Sequence, residues 1–416
     1  MFEVGVKRKL AGWALSALLG WGGVRVAHAA QWSMNPSVSA TGQYDSNLLM
    51  TTAPHASIWS TVISPAASFT GQTQTLSVTG SAQLNANRFS EHNLNSNDRL
   101  FALDMATNTQ RSQFGVNVNY TRDSTLESEL ATTGLVELRA QRSLSELNPT
   151  WSFHLTPRWL VTAAYDVSKA DYSDAAGTNL VNYSDQNGIL GLQYDLSPRG
   201  VASLSAYYDQ YRTRPAQYKA RTYGLQAGYR YHFSPTLEGD VAVGARRTHA
   251  TLLANTELCA IVVAQGVATC IPIASLSSPQ SADSTGYTFD GNVKRHWQSA
   301  SLALSLSRAV TPSGLGALVQ TDRLGLDWAH HLSATWAARV SVATYRTRFL
   351  DGTLDANNNR YSLVNPSMSW KLTREWTVST GYSYARSKYD LASKASSDNR
   401  VYATLIYRWP QLSVSR

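Results

Sequence analysis

Hydrolytic chemistry needs a nucleophile, a base and an orienting group that converge in space, and the histidines of this 416-residue chain have little of that context. His249 stands without G-x-S-x-G or H-E-x-x-H surroundings, and His330-His331 falls where a turn is expected. Cys259 and Cys270 are the two cysteines. Two thiols with no flanking histidine make a poor metal site, whereas a lone pair in one loop of an exported chain reads as a disulfide. Closing so short a loop contributes about 3 kcal/mol in the chain-entropy model. No enzymatic activity, metal or cofactor is expected from these groups.

Other side chains point to passage rather than reaction. Arg139, Arg230, Lys294, Arg323, Arg339 and Lys371 are basic residues away from strand ends, and a row of such groups could form a path for an anionic solute. Tyr207 and Tyr211 could present flat rings to a sugar. Asp166, Glu238, Asp240, Asp290 and Asp327 share their parity, so mutual neutralisation across strands is the more ordinary reading of the charges. Which reading holds depends on the elements that carry these residues.

Those elements are strands. Segments of about ten residues alternate apolar and polar side chains and are separated by short turns such as Thr156-Pro157-Arg158, Ser197-Pro198-Arg199-Gly200 and Ser234-Pro235-Thr236. In 221 to 233, Tyr223, Leu225, Ala227, Tyr229, Tyr231 and Phe233 share one face, against Thr222, Gly224, Gln226, Gly228, Arg230 and His232 on the other. A charge facing lipid at the bilayer midplane costs about 2 to 4 kcal/mol, so the basic and acidic residues above are assigned to the lumen. Segments read this way number eighteen, with sixteen also compatible. They predict an all-β, antiparallel up-and-down transmembrane barrel wide enough for an aqueous path. Tight turns after even strands and longer loops after odd ones, including 45 to 57, 90 to 98, 173 to 181, 250 to 284 and 351 to 359, place both termini in the periplasm.

Composition agrees with export to a membrane. Lys7-Arg8-Lys9, an apolar run from Leu10 to Gly20 and Ala27-His28-Ala29 form a secretory signal peptide over 1–29, leaving 30–416 as one barrel domain. Its removal takes away Lys7, Arg8, Lys9, Arg25 and Glu3 and lowers the net charge from +8 to about +5. The mature chain is only mildly basic, and nucleic acid is not an expected partner. Twelve Trp and 21 Tyr suit the interfacial girdles of an outer-membrane barrel. The expected location is the outer membrane of a Gram-negative bacterium, with membrane lipid and the barrel-assembly machinery as partners.

The opening stretch from Trp32-Ser33-Met34-Asn35-Pro36 to Tyr44-Asp45-Ser46-Asn47-Leu48, followed by short strands to the end, resembles the outer-membrane barrels encoded with exopolysaccharide biosynthesis systems. That resemblance implies export of a secreted polysaccharide, delivered by a separate periplasmic polysaccharide-export protein. A general diffusion porin and a plugged barrel that binds partners through its loops are the alternatives. Ile261-Val262-Val263 and Ile271-Pro272-Ile273 beside the cysteines suggest that the 250 to 284 loop folds inward as a constriction. Near the end, Tyr407 and Trp409 supply the aromatic signal for assembly, and 411 to 416 are expected to be dispensable.

Overall fold

The computed structural model describes residues 31–52, 54–126, 128–129, 140–174, 178–214, 218–264, 267–350 and 358–415, and of 253–264, 267–279 and 414–415 the backbone alone. The signal-peptide segment 1–29 and Arg139 lie outside the described residues. Eighteen antiparallel strands follow one another. The first nine are β1 (Gln31–Asp45), β2 (Ile58–Gln72), β3 (Leu76–Phe89), β4 (Ser96–Asn108), β5 (Ser112–Ser124), β6 (Gln141–His154), β7 (Trp159–Ser173), β8 (Asn182–Ser197) and β9 (Gly200–Arg214). The second nine are β10 (Tyr218–Ser234), β11 (Leu237–Ala264), β12 (Val267–His296), β13 (Ala300–Pro312), β14 (Leu318–His331), β15 (Trp336–Phe349), β16 (Asn359–Lys371), β17 (Trp376–Tyr389) and β18 (Ser396–Arg408). Each pairs with its neighbours in sequence, and β1 pairs with both β2 and β18, which closes the barrel and leaves no free edge.

One face of every strand is apolar and looks outward. Leu190, Leu225, Val243 and Tyr287 are more than half exposed there, the apolar outward band that a transmembrane barrel presents to lipid. Aromatic rings gather at both ends of this belt. At the end with tight turns, Trp336 stacks on Trp370 directly across β15–β16 (5.1 Å), Trp159 meets Tyr194 (4.5 Å) and Trp376 meets Tyr407 (4.8 Å). At the loop end, Tyr44 meets Trp59 (4.9 Å). Cross-strand aromatic pairs stabilise a sheet by roughly 0.2 to 1 kcal/mol each, and their indole and phenol groups suit a water–lipid interface.

The turns repeat one device. The backbone N–H of Leu76, Ser112, Trp159, Trp336 and Trp376 each donates to a hydroxyl three residues earlier, of Thr73, Thr109, Thr156, Ser333 and Thr373, at 3.0 to 3.1 Å. A side chain that satisfies the turn's backbone in this way fixes its conformation and stabilises it by about 1 kcal/mol. Both termini of the described barrel lie at this turn end.

Three parts differ from the sequence expectation. The 250 to 284 segment is not a folded-in loop: β11 and β12 stay paired up to Ala264 and Val267, while β12 pairs with β13 only from Phe289 onward and β11 with β10 only as far as Leu252. The hairpin therefore continues past the barrel wall as a two-stranded ribbon. Within it Cys259 stands opposite Pro272 and Cys270 opposite Ile261, so the cysteines share a face but sit diagonally; their side chains lie outside the described residues. The alternation from 136 to 155 reads as one strand in the sequence, and of its described residues β6 takes Gln141–His154, with Ala140 standing outside it. Finally, the chain resumes after Pro410 as a short strand, β19 (Leu412–Ser415), paired with Met34 to Gln31 of β1, so the C-terminal residues extend the seam between the first and last strands.

Candidate functional site: the lumen and its mouth

The second parity of each strand lines the interior. Around β1 to β5 it supplies hydroxyls and amides: Ser39, Thr41 and Gln43, then Ser64, then Gln83 and Asn85, which surround a cavity of about 280 Å³. Against β15 to β18 the wall carries Tyr361, Asn365, Ser383, Tyr402 and Thr404 around a cavity of about 500 Å³. Asp45 is fully buried and pairs with Arg400 across β1–β18. On β7 to β12 carboxyl groups concentrate at the waist: Asp209 and Asp290 border a third cavity of about 250 Å³ with Asn187 and Gln226, and Asn292 donates to both Asp240 (3.2 Å) and Asp290 (3.0 Å).

The sequence-assigned basic residues take up different places. Arg230 lies opposite Asp240 and Lys294 opposite Glu238 in the β10–β11–β12 register. Lys294 and Arg339 border one cavity of about 330 Å³ with Asp327 at the turn end, and Lys371 lies opposite Thr377 at the same end. Arg323 is higher, its guanidinium 5.3 Å from the centre of the Tyr345 ring. Beside His232 with Glu238 (3.6 Å) at the turn end, the inner wall has ion pairs of groups outside the basic residues assigned from sequence: Arg142 with Asp123 (3.4 Å) and Glu129 (3.5 Å), and Arg400 with Asp45. Asp209 and Asp290 at the waist thus stand opposite no cation in the register, whereas toward the turns Arg230 and Lys294 face carboxylates.

Tyr207 faces the lumen beside Asp209 and Gln226. Tyr211 shares that inner face but is covered: it is fully buried, and its hydroxyl donates to the Ser313 carbonyl oxygen at 3.0 Å. That bond joins β9 to the connection between β13 and β14, strands that are not neighbours, so the connection reaches across the mouth. Val181 N–H donates to Gly314 O at 2.8 Å on the same wall. Leu318 and Val319 are buried in a cluster with Tyr183, Tyr211, Tyr218 and Ala250. Arg246, on the inner face of β11, donates to Gln320 at 3.0 Å. The tip of the β13–β14 hairpin has bent inward, and Val310, Leu318 and Gln320, which by parity belong to the outer face, press on the opposite inner wall. Gly316 turns the tip with φ +82°, a conformation that favours glycine. Gly314 lies against Tyr172 and Leu180, where an added Cβ would stand 2.5 Å from the Tyr172 hydroxyl. The inward constriction is therefore built from 313–317.

A second segment turns in from the other side. Asn47 receives the N–H of Thr51 (3.1 Å), donates to the carbonyl of Thr51 (2.9 Å) and gives its own N–H to Asp398 (2.7 Å). This closed turn holds Leu48 against Ile58, Leu94 and Leu126, and Met50 against Tyr345, Tyr361 and Ala385. Tyr44-Asp45-Ser46-Asn47 thereby gains a physical role: it anchors an apolar strap across the loop-end mouth. No spacing rule would have found the Arg142–Glu129–Tyr172 group, in which Tyr172 donates to Glu129 at 2.6 Å, because its members come from separate strands and a loop.

His249 lies 2.7 Å from Asp283, on the outward face of the β11–β12 pair. His330 stacks on Trp328 (5.8 Å) near the turn end.

No family model matches the chain, and no curated protein matches it. Solved structures similar in overall outline include Acinetobacter baumannii OccAB2, at 11% identity and a TM-score of 0.43 over 91% of this chain and 98% of that one. Others are OccAB3 of the same organism, at 8% and 0.44 over 92% and 99%, and the outer membrane protein OpdK of Pseudomonas aeruginosa, at 9% and 0.41 over 90% and 99%.

Proposed function

We propose that this protein is an outer-membrane channel of the porin type, which lets polar solutes through a barrel narrowed at its loop end. The observation that carries the reading is the division of faces: an uninterrupted apolar exterior between two aromatic layers, and an interior of hydroxyls, amides and charges with room for water. Such an exterior is stable only in a bilayer, and eighteen strands enclose a lumen wide enough to conduct. The long connections face outside and the tight turns and both termini face the periplasm, by the convention of such barrels. Membrane lipid and the barrel-assembly machinery are the partners this implies.

The solute class follows from the wall. Carboxylates at the waist favour cations and neutral polyols over anions, which moves the reading away from an anion path through Arg139, Arg230, Lys294, Arg323, Arg339 and Lys371. Liposomes containing the protein should swell in small neutral sugars. Swelling no faster than empty liposomes, for wild type and for a variant lacking 313–317, would sink the proposal. Polysaccharide export is the second reading, favoured by the Ser, Thr, Asn and Gln wall of β1 to β5; it requires that loss of the protein stop polymer secretion while synthesis continues.

A further inference from the structure

The exterior is uncharged at the waist but not at the loop end. Outward-facing cations appear there in three sectors: Arg88, Arg99 and Arg122 on β3 to β5; Arg212, Lys219 and Arg221 on β9 and β10; and Arg346, Arg360 and Lys388 on β15 to β17. Within each sector like charges stand directly opposite one another in register. Arg99 faces Arg122, Arg212 faces Lys219, and Arg360 faces both Arg346 and Lys388. Directly opposed like charges destabilise a sheet. Of the outward carboxylates, Asp171 is shared by Lys169 and Arg214, Asp283 by Arg247 and His249, and Asp322, which stands opposite Arg346 in register, by Arg308 and Arg348, while Arg360 has Asp390 at 3.8 Å. The protein's own anions leave the three sectors in excess positive charge.

Their height identifies what balances them. Next along the outward face toward the waist come Phe101 after Arg99, Tyr120 after Arg122, Tyr223 after Arg221 and Tyr384 after Arg386. Two strand residues span about 7 Å, so Arg99, Arg122 and Arg221 stand one step beyond these rings and Lys219 and Lys388 two steps, with Arg212, Arg346 and Arg360 beside the last two in register, at headgroup level. Guanidinium pairs there match phosphate oxygens in geometry and charge. Among the described strand residues the turn end has no matching collar; its outward cation there, Arg295, lies over Trp297 at 4.8 Å.

We propose that this collar binds the phosphate groups of the phosphorylated glycolipid of the outer leaflet. The inference rests on the reading that the loop end faces outside. The test titrates the purified full-length barrel in uncharged detergent with bisphosphorylated lipid A, with the same lipid stripped of phosphate, and with inorganic phosphate, followed by native mass spectrometry. Two variants are compared with wild type: Arg346→Ser with Arg360→Ser and Lys388→Ser, and Arg88→Ser with Arg99→Ser and Arg122→Ser. Retained heat-modifiable mobility shows that each is folded, and either one suffices if the other fails. The phosphorylated lipid should bind at least about tenfold more tightly than the stripped one, each variant should lose about tenfold of that affinity, and equimolar inorganic phosphate should not compete. Equal binding of the two lipids, unchanged binding by a folded variant, or free phosphate binding as tightly as the lipid would each overturn the proposal. An epitope inserted between 264 and 267 and stained on intact cells tests the orientation separately, so its failure is distinguishable from failure of phosphate binding.

Discussion

Replacing Leu318 by Ala should open the channel. The side chain is 1% exposed and lies between the β13–β14 tip and the inner wall beside Tyr211 and Ala250, so it is buried only while the tip is folded in. Truncating a buried leucine costs about 2 to 5 kcal/mol. Taking about 3 kcal/mol, charged wholly to the inward state, the population with the tip released rises about 100-fold, since each 1.4 kcal/mol is a factor of ten. Tyr211→Phe is the milder companion: it keeps the ring and removes only the bond to Ser313 O, worth about 1 kcal/mol, or roughly a fivefold shift. Planar-bilayer recording reads both as the fraction of time spent in the higher-conductance level. The reasoning is refuted if both variants keep wild-type conductance and open fraction while retaining heat-modifiable mobility, because the tip would then not control the path.

Gly314→Val should act in the same direction by pushing the tip off Tyr172 and Leu180, and protease cleavage within 313–317 of the folded barrel should accelerate. Arg400→Ala leaves Asp45 buried beside the strap without that partner, and breaking a buried pair costs about 3 to 5 kcal/mol; the temperature at which heat-modifiable mobility is lost should fall. Thr373→Val removes the hydroxyl that accepts Trp376 N–H and should lower stability in a urea-driven folding assay by about 1 kcal/mol. Deleting 411–416 removes the β19–β1 pairing, so the unfolding temperature should drop while insertion survives, whereas Trp409→Ala, which loses the edge-on contact with Tyr407 at 4.8 Å, should reduce the amount inserted in the membrane.

Alternation made the barrel legible because one face of each strand must satisfy lipid and the other water, and Tyr223 to Phe233 write that constraint directly into the sequence. The turns were equally readable, since Thr156 and Ser234 are the residues that satisfy turn backbone. The mouth was not. Val310 and Leu318 carry the outward parity of a lipid-facing side chain, yet they bury against the opposite inner wall, and parity cannot distinguish one apolar environment from the other. Tyr211 looked like a sugar platform for the same reason: its face was assigned correctly, but the Ser313 carbonyl that occupies it comes from a remote strand pair. The 250 to 284 stretch, with Pro272 and Pro279, carries the composition of a loop, while its pairing continues the β11–β12 ladder. Arg99, Arg346 and Lys388 were not legible, because a charge at a strand end carries no lipid penalty and so no periodic signal.

The central claim is a water-filled path through the barrel that the inward tip restricts. Single-channel conductance of wild type and of a variant with 313–317 shortened to a tight turn, each measured in a salt gradient, tests it most directly. The shortened variant should have a larger unitary conductance, and both proteins a reversal potential of cation-preferring sign, set by the waist carboxylates. Absence of conductance in both proteins, in folded and inserted barrels, would contradict it.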